Sequence, residues 1–397
     1  MSRTAATFHP PIPEARRWLD GVSFPPERPL INLSQAAPVE PPPEAMRAAM
    51  AGFLDEPSTH LYGPVLGNDD LRAALARTWA AHYGAPVGAD RVAITSGCNQ
   101  AFAAAIAALC DEGDEVIIPV PWYFNHKMWL DMSGVRAVPL ATGADLVPDP
   151  QAARALIGPR TRAIAIVTPN NPAGVEYPAE AVAALYDVAR EAGIRLIVDE
   201  TYRDFHSQDG APHDLLTRPG WDGTLVQLYS FSKTYRLTGH RVGAMIAAPA
   251  LLHEVEKFID TVTICPAQLG QRAALWGLEN LGDWVAGERA EILRRRAAIE
   301  QGMAKLKPLG WRLKGVGAYF AYLEHPFAMP ADEAARRMVR DAGILMLPAT
   351  MFVPEGDTAG ARHFRMAFAN ADAAGLAETF DRLAGLDWPL AAPAGGR

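Results

Sequence analysis

Short apolar runs separated by helix-like stretches are the feature of this sequence that most constrains its fold. Six runs resemble strands, and several are apolar along their whole length: Val92–Thr95, Glu115–Pro119, Ala163–Val167, Arg195–Val198, Leu225–Ser230 and Val242–Ala247. Strands without a polar side are typical of a sheet that is covered on both faces. The helix-like stretches are Pro43–Leu54, Asn68–Tyr83, Gln100–Cys110, Ala179–Ala192 and Trp284–Leu306. The alternation predicts an α/β fold with a mostly parallel sheet sandwiched by helices.

The pattern changes after the helix that begins near Trp284. A strand pair near Arg312–Leu323 and a helix near Ala331–Ala342 predict a smaller α+β domain. A chain of 397 residues is also longer than one hydrophobic core usually serves. We therefore expect a large domain over residues 46–290, and a small domain that joins residues 291–397 to the N-terminal segment 1–45.

Composition and charge narrow the possible classes of function. The 37 basic and 45 acidic residues give a net charge of −8 without long runs of one sign, so nucleic acid and acidic membrane surfaces are not expected partners. Three scattered cysteines, Cys98, Cys110 and Cys265, are too few for a disulfide framework or a cysteine-rich zinc site. No secretory signal and no membrane-spanning apolar run is visible. We expect a soluble cytoplasmic protein without a metal.

Ligands of open α/β sheets bind beyond the carboxyl ends of the strands, and several polar residues follow the apolar runs directly. Ser96, Gly97 and Cys98 lie between a strand and a helix, where free N–H groups and the helix dipole can bind an anion. An ordinary helix cap would give the same pattern. Asp199 ends another strand and could face the ligand crevice, although a helix cap or a metal ligand would fit the sequence equally well.

The strand Leu225–Ser230 leads to Lys233, and Arg241 follows eight residues later. A lysine at a strand end can form an imine when its surroundings lower its pKa, and an arginine can bind a phosphate with its planar fork. Asn171 lies in a turn after another strand, and Tyr123 offers an aromatic face to a planar ring. Taken singly, these residues are more typical of a solvated surface, a loop or the core.

Together, the order and spacing of these pieces resemble the class I/II aminotransferases among the fold-type-I pyridoxal-phosphate enzymes. The matching pieces run from about Ile31 to Asn370: Tyr62-Gly63-Pro64 through Gly67, Leu71-Arg72, Ser96-Gly97-Cys98, Pro121–Tyr123, Asn171-Pro172-Ala173-Gly174, Asp199 with Tyr202, Ser230–Lys233 with Arg241, and His363-Phe364-Arg365. Each piece is weak alone, but the ordered set is very specific. The resemblance implies an enzyme with pyridoxal 5'-phosphate as cofactor that moves an amino group between an L-amino acid and a 2-oxo acid by ping-pong transamination.

The resemblance also implies a role for each matching residue. Lys233 matches the lysine that holds the cofactor as a Schiff base and moves the substrate α-proton. Asp199 matches the partner of the pyridine nitrogen, which keeps the ring protonated. Asn171 and Tyr202 match the pair that bonds the phenolic oxygen of the ring, and Tyr202 joins Lys233 and Asp199 among the catalytic residues. Arg365 matches the arginine that binds the substrate α-carboxylate.

The remaining matches concern the cofactor, the substrate and a second subunit. Tyr123 matches the stacking aromatic, and the phosphate ligands are Ser96, Gly97, Cys98, Ser230 and Arg241. Tyr62 matches a tyrosine that reaches the phosphate of a neighbouring subunit, which implies a homodimer with shared sites. Ala37 and Asn171 join Arg365 in the substrate site. His126 matches a histidine that supports the aspartate, although an ordinary core histidine is equally typical of that position.

The chain departs from the family's pattern at positions that would lie near the phosphate or the substrate. Ala36-Ala37 stands where a glycine is common, Cys98 replaces a small or hydroxyl residue, and Asn99 stands where one subfamily carries a lysine. No arginine occurs in Thr261–Gly270, where another branch supplies one for a distal carboxylate. Aspartate and glutamate are therefore in doubt as donors, and an aromatic or aliphatic amino acid remains open.

Two other functions use a similar constellation. A β-eliminating lyase or a cyclising synthase would use the same Lys233 and Asp199, and release of pyruvate and ammonia without an oxo-acid acceptor would identify the lyase. Some transcription regulators carry an aminotransferase-like domain that binds ligand without turnover. We do not expect this function, because the segment before Ile31 is short and Pro-rich for a DNA-binding module.

Overall fold

The computed structural model describes residues 2–392. Its helices are α1 (Pro11–Arg17), α2 (Glu44–Phe53), α3 (Asp69–Tyr83), α4 (Cys98–Leu109), α5 (Phe124–Ser133), α6 (Pro150–Ala155), α7 (Ala179–Glu191), α8 (Phe231–Thr234), α9 (Pro249–Thr263), α10 (Gln268–Asn280), α11 (Gly282–Leu306), α12 (Ala331–Ala342) and α13 (Ala373–Ala384). Its strands are β1 (Ile31–Asn32), β2 (Val92–Thr95), β3 (Glu115–Val120), β4 (Arg136–Ala141), β5 (Thr161–Val167), β6 (Arg195–Asp199), β7 (Leu225–Ser230), β8 (Gly243–Ile246), β9 (Arg312–Gly317), β10 (Phe320–Glu324), β11 (Ile344–Leu345), β12 (Leu347–Pro348) and β13 (His363–Ala367).

The large sheet has seven strands in the order β2-β8-β7-β6-β5-β3-β4. All run parallel except β8, which is antiparallel to both β2 and β7. The central strands β6 and β7 are buried almost throughout, as their continuous apolar sequences predict. The mostly parallel, helix-covered sheet is therefore confirmed. The edge strand β4 was not among the predicted strands, because its residues alternate between exposed and buried and include Arg136 and Pro139.

A second, smaller sheet is antiparallel and has the strand order β12-β13-β10-β9. Beside it, β1 pairs in parallel with β11, which ties the N-terminal segment to the C-terminal part of the chain. The apolar sides of α11, α12 and α13 cover this sheet around Trp311, Phe320 and Phe364. This arrangement confirms the predicted smaller α+β region.

The apolar cores of the two sheets are joined by a third cluster of buried side chains. That cluster contains Ile118 and Phe124 from the large sheet and its helices, and Leu345, Leu347 and Phe352 from the C-terminal part. Continuous burial across the junction fixes the two sheets relative to each other without a water-filled gap at these residues. In the chain from residue 2 to residue 392, no helix combines the length and the apolar composition that a membrane crossing requires.

Glycines allow the two sheets to approach closely beside the turn that carries Asn171. Gly174 has a φ of +73°, and a Cβ on it would overlap the carbonyl oxygen of Phe320. A Cβ on Gly317, in β9, would in turn overlap the carbonyl oxygen of Gly174. Because neither position has a side chain, the backbone of the small sheet lies directly against the Asn171 turn. This contact brings residues of the two sheets to one cavity.

Candidate active site

A cavity of about 370 Å³ lies at the carboxyl edge of the large sheet, where the small sheet and α1 close over it. This is the edge at which open parallel sheets bind ligands. The walls include most of the predicted site residues: Ala37, Cys98, Tyr123, Asn171, Asp199, Tyr202, Ser230, Lys233, Arg241 and Arg365. Of the other predicted residues, Ser96 and Gly97 lie just behind this wall, and Tyr62 lies away from it.

Lys233 enters the cavity from α8, the single helical turn that follows β7. Its Nζ donates a hydrogen bond of 2.5 Å to the carbonyl oxygen of Ala36. Burial, together with the nearby charges of Arg241 and Arg365, lowers the pKa of the Lys233 amine from 10.5 to about 8. A substantial fraction of this amine is therefore neutral near physiological pH, and a neutral amine can act as a nucleophile and as a base.

Asp199, the last residue of β6, is only 3% exposed and presents a carboxylate to the cavity. Its Oδ1 accepts hydrogen bonds from the backbone N–H of Thr201 at 3.0 Å and from the Thr201 hydroxyl at 2.7 Å. The Nε2 atom of His126 lies 3.2 Å from Asp199 Oδ2. Burial raises the pKa of the Asp199 carboxyl, but the contacts with His126 and Thr201 outweigh it and hold the pKa below its usual value. The carboxylate is therefore ionised at neutral pH.

His126 is held in place by two aromatic rings. Its imidazole stacks on Phe102 with a centroid separation of 3.8 Å, and the ring of Tyr123 lies edge-on to it at 5.0 Å. The histidine is 3% exposed, so it is both a core residue and a neighbour of the Asp199 carboxylate. The two interpretations that the sequence left open are compatible in the fold.

An anion-binding corner is formed where β2 and β7 end and the antiparallel strand β8 begins. Gly97 precedes α4 with a φ of +88°, and a Cβ there would overlap the guanidinium group of Arg241. Arg241 donates to the carbonyl oxygen of Thr238 at 3.0 Å and lies 3.5 Å from the Ser232 hydroxyl. The first N–H groups of α4 have no partner within the helix, so they complement the arginine. The Ser96 N–H is already bonded to the Gln100 side chain at 2.6 Å.

The Cys98 thiol lies beside Asp199 and Thr201, so it contacts the acid at the floor of the cavity. Burial and the negative charge of Asp199 raise the pKa of the thiol well above its ordinary value, and the sulfur stays protonated. Any contact of Cys98 with an anion at the corner would therefore come from its backbone N–H.

Arg365 lies on β13 and reaches the cavity from the small sheet. Nη1 donates to Asn171 Oδ1 at 3.1 Å, Nη2 donates to the carbonyl oxygen of Ser34, and Nε has no hydrogen-bond partner within residues 2–392. The guanidinium group lies 5.0 Å from the centre of the Phe352 ring. Burial lowers its pKa to about 10, so it remains a cation. The described chain surrounds this 2%-exposed arginine with an amide, a backbone carbonyl and two tyrosines but no paired carboxylate, which makes it available to a carboxylate ligand.

Two tyrosines complete the cavity. The Tyr123 hydroxyl donates to Asn99 Oδ1 at 3.2 Å, and the Tyr202 ring packs against Tyr319 and Phe320. Burial is the main cause that raises the pKa of both phenols, so both stay neutral. Ala37 lies at the other side, where its N–H is 3.3 Å from Asn370 Oδ1.

Tyr62 is 79% exposed and does not reach the cavity of its own chain. The next residue, Gly63, has its N–H 3.4 Å from the Cys265 sulfur, which places this segment beside Ile264. Leu61 and Ile264 are also exposed. Exposed apolar residues of this kind are typical of a surface that another protein covers.

Some cavity residues were missed by sequence reasoning. Pro10, Ile12 and Pro13 of the N-terminal segment line the mouth, as does Gln35. No motif indicates them, because their position depends on how α1 packs in the fold. Thr201 and Ser232 also line the cavity, and their places next to Asp199 and Lys233 were the available signal. Within residues 2–392, no group of three or more His, Cys, Asp or Glu side chains is arranged to hold a metal ion.

Comparisons with known proteins agree with this geometry. The family model described as aminotransferase class I and II matches residues 28–383. An aromatic aminotransferase of Arabidopsis thaliana is 28% identical over 357 residues, covering 87% of each chain. A valine–pyruvate aminotransferase of Mycobacterium tuberculosis is 31% identical over 350 residues, covering 86% of this chain and 87% of the relative. The solved aspartate aminotransferase of Thermus thermophilus with maleate superimposes with a TM-score of 0.85 at 26% identity, covering 97% of this chain and 98% of that one.

Proposed function

This chain belongs to the class I and II aminotransferases, and from that premise we propose that its pyridoxal 5'-phosphate-dependent transamination is carried by Lys233, Asp199 and Arg365. The observation that carries the proposal is the state of Lys233, a buried amine with a pKa of about 8 in a cavity that also contains an ionised acid and a free arginine. The substrates are an L-amino acid and a 2-oxo acid. An α-carboxylate, which both have in common, is complementary to Arg365.

The residues of the cavity fit the cofactor. Gly97 leaves the room beside Arg241 that a side chain would fill, and this room adjoins the N-terminus of α4, where a phosphate would be bound. Ser230 and Ser232 supply hydroxyl groups at the same corner. Asp199 is ionised at the floor of the cavity, where it would pair with a protonated ring nitrogen. Tyr123 would lie against the ring, and Asn171 and Tyr202 would bond its phenolic oxygen.

When bound, pyridoxal 5'-phosphate supplies an electron-accepting ring that weakens the Cα–H bond of an attached amino acid. Lys233 would hold the cofactor, be released by the incoming amine, accept the α-proton from Cα, and then deliver that proton to a carbon of the cofactor rather than back to Cα. A pKa of about 8 suits both proton transfers, because it lies close to physiological pH. Asp199 stays ionised throughout and does not itself move a proton.

Arg365 would orient the substrate by binding its α-carboxylate with two parallel N–H donors. Its position is supported from Asn171 and from the carbonyl oxygen of Ser34, so the guanidinium plane has little freedom. Holding the carboxylate fixes which bond at Cα stands perpendicular to the ring, and that bond is the one that breaks. Ala37 lies on the same side and narrows the space beside the carboxylate.

We propose that the preferred amino donor has an uncharged aromatic or aliphatic side chain. Ile12, Pro13 and Phe124 line the mouth with apolar surface, and Asn99 provides an amide rather than a charge. The cavity lining within residues 2–392 has no cations other than Lys233, Arg241 and Arg365, which are needed for the reaction, the phosphate and the α-carboxylate. An acidic side chain would therefore be buried without a partner, which is costly.

A half-reaction screen tests this proposal. Each amino acid is added to the purified holoenzyme without an oxo acid, and the change in the visible absorbance of the bound cofactor is followed together with formation of the matching 2-oxo acid. We expect the fastest conversion with aromatic or aliphatic donors. Faster conversion with aspartate or glutamate would contradict the donor assignment, and release of ammonia with pyruvate would indicate a β-eliminating lyase.

We also propose a homodimer in which Tyr62 of each subunit completes the site of the other. Support comes from the exposure of Tyr62, Leu61 and Ile264 on one surface. Sedimentation velocity tests the assembly, and Tyr62→Phe should weaken cofactor binding without dissociating the dimer. A monomeric holoenzyme would contradict this part of the proposal.

Two further proposals concern the division and the location of the chain. A large domain over residues 46–290 is supported by one apolar cluster that extends from Met46 to Leu281. A small domain formed by residues 1–45 and 291–397, of which the structure describes residues 2–45 and 291–392, is supported by another cluster that joins Leu33 to residues from Ile292 onward and also includes Tyr202 and Phe205. We place the protein in the cytoplasm, because its three cysteines are free thiols, and cell fractionation tests that location.

A further inference from the structure

The two oxygens of the Asp199 carboxylate have different surroundings. Oδ1 accepts two hydrogen bonds from one residue, Thr201, through its backbone N–H at 3.0 Å and its hydroxyl at 2.7 Å. Oδ2 lies 3.2 Å from the Nε2 atom of His126, and this nitrogen has no hydrogen-bond partner of acceptable angle within residues 2–392. Each carboxylate oxygen can accept about two hydrogen bonds. Oδ1 is therefore saturated, and Oδ2 retains free acceptor capacity.

The Thr201 hydroxyl is bonded to Asp199 at the wall of the cavity. Both Thr201 and Asp199 line the cavity, and Asp199 is 3% exposed, so water cannot readily replace either contact. The ionisable groups that face this carboxylate from neighbouring elements are Cys98 of α4, His126 of α5, Tyr123 and Tyr202. Of these, His126 lies beside Oδ2, and the Cys98 thiol contacts both the carboxylate and Thr201.

We propose that Thr201 is a positioning residue for Asp199: by saturating Oδ1, it leaves Oδ2 as the oxygen that accepts the ring N–H of the bound cofactor. This inference rests on the proposed role of Asp199. The backbone N–H alone would leave acceptor capacity free on each oxygen, and the carboxylate could then meet the ring in two ways. The Thr201 hydroxyl excludes the arrangement in which Oδ1 meets the ring. Two donors on the same oxygen fix the rotation of the carboxylate plane.

The test compares Thr201→Val with Thr201→Ser. Valine has nearly the shape of threonine and keeps the backbone N–H, so it removes the hydroxyl alone, whereas serine restores it. In Thr201→Val we expect the dissociation constant of pyridoxal 5'-phosphate from the apoprotein to rise about tenfold, as for loss of a hydrogen bond to a charged group. The visible absorbance band of the bound cofactor should also shift its pH midpoint. Thr201→Ser should remain within about twofold of the parent.

Thr350→Val is the matched control. Its hydroxyl also donates to a carboxylate, Asp332, at 2.6 Å, and neither residue lines the cavity. We expect this variant to lower the melting temperature of the apoprotein and to leave cofactor affinity and the visible spectrum unchanged. A difference between the two valine variants in spectrum, at similar loss of stability, separates positioning of Asp199 from general support of the fold.

Three outcomes are decisive. An unchanged dissociation constant and pH midpoint in Thr201→Val would overturn the inference, and so would a serine variant as impaired as the valine variant. Asp199→Asn distinguishes this failure from a failure of the proposed function. If Asp199→Asn binds the cofactor poorly while Thr201→Val behaves as the parent, only the role of Thr201 is wrong. If Asp199→Asn is itself unaffected, the proposed role of Asp199 is wrong.

Discussion

Two neighbouring acids, Asp199 and Glu200, lie in two buried charged regions that differ in how their charges are balanced. Asp199 faces the cavity, where the cations Lys233, Arg241 and Arg365 are gathered. Glu200 points to the other side of the sheet end and is completely buried. Its Oε2 accepts from the Tyr83 hydroxyl at 2.6 Å and from the Gln227 side chain, and Oε1 lies 3.3 Å from His213 Nε2.

In the region around Glu200, which we call the Glu200 network, the buried charges are paired within the chain, although Glu200 Oε1, His213 Nε2 and Arg203 Nε have no hydrogen-bond partner within residues 2–392. Arg203 lies 4.3 Å from the centre of the Trp79 ring and 5.0 Å from that of Tyr83. Although burial raises the pKa of Glu200, the charges of His213 and Arg203 and the hydrogen bonds outweigh it and hold the pKa at about 2. An acid whose charge is balanced by buried cations of the same chain supports the fold.

The cavity is different because its charges are not balanced by the chain. Arg365 has no carboxylate partner in the described residues, and the amine of Lys233 is held near a pKa of 8 by burial and by two arginines. Such arrangements are unfavourable in an isolated protein and are relieved when an anionic ligand binds. The comparison teaches that burial of charge alone does not indicate a functional site. A functional site is indicated when buried charges lack partners of opposite charge within the chain.

The largest effect is expected for Lys233→Ala. Loss of the amine that holds the cofactor and moves the α-proton should lower kcat by ~10⁴-fold or more. The circular dichroism spectrum and the melting temperature of the apoprotein should stay close to those of the parent. The measurement is steady-state transamination together with the visible spectrum of the cofactor-saturated protein. Substantial residual turnover would place the essential amine elsewhere.

Replacing Glu200 by glutamine should have a large effect on stability and little effect on the site. Removing one partner from a buried charged group costs ~3 kcal/mol in free energy of unfolding. Because the folded-state pKa of about 2 lies below the ordinary 4.5, the stabilisation is fully present above pH 4.5 and is lost as the pH falls toward 2. Urea unfolding of parent and Glu200→Gln at several pH values measures the difference.

The difference between parent and Glu200→Gln should be large at neutral pH and should shrink in acid. Cofactor affinity should change by no more than about twofold, since the Glu200 network does not line the cavity. If the cofactor affinity of Glu200→Gln fell in proportion to its free energy of unfolding, the cavity and the Glu200 network would not be energetically independent.

Arg365→Leu should change substrate affinity with little loss of stability, because its guanidinium group is poorly compensated in the free protein. Removing two charge-assisted hydrogen bonds to a carboxylate should lower kcat/KM by about a hundredfold, without altering the spectrum of the bound cofactor. Arg203→Leu is the matched control, since Arg203 is also a buried arginine, with 5% exposure, but lies in the Glu200 network. Equal effects of the two variants on kcat/KM would contradict the distinction between the cavity and the Glu200 network.

Much of the fold could be predicted from the sequence because the central strands are apolar throughout. β2 and β7 begin and end where their apolar runs do, and α12 follows its helical pattern to Ala342. The edge strand β4 could not be found in this way, since one side is exposed and its composition resembles a loop. The sequence also could not place α1, because its contacts come from residues far along the chain.

The candidate site also contains residues that the sequence predicts and contacts that it does not predict. Lys233, Asp199 and Gly97 lie at strand ends, where local sequence already indicates the carboxyl edge of the sheet. The contact of Arg365 with Asn171 joins residues that are 194 positions apart, and no local pattern predicts it. The direction of the Cys98 thiol, toward Asp199 and Thr201, depended on side-chain packing in the same way.

By itself, the sequence determined a helix-covered parallel sheet, the order of its strand-end motifs and the resemblance to aminotransferases. All three depend on short-range patterns of apolar and polar residues, which can be read without the fold. Only the tertiary structure decided which buried charges remain unbalanced. Asp199 and Glu200 are adjacent in the chain, and the apolar strand before them does not distinguish the two acids; only the resemblance to the family assigns a role to Asp199. Their partners come from other strands and helices, so the packing of the fold leaves Arg365 in the cavity without a carboxylate partner and places Glu200 beside the charges of His213 and Arg203.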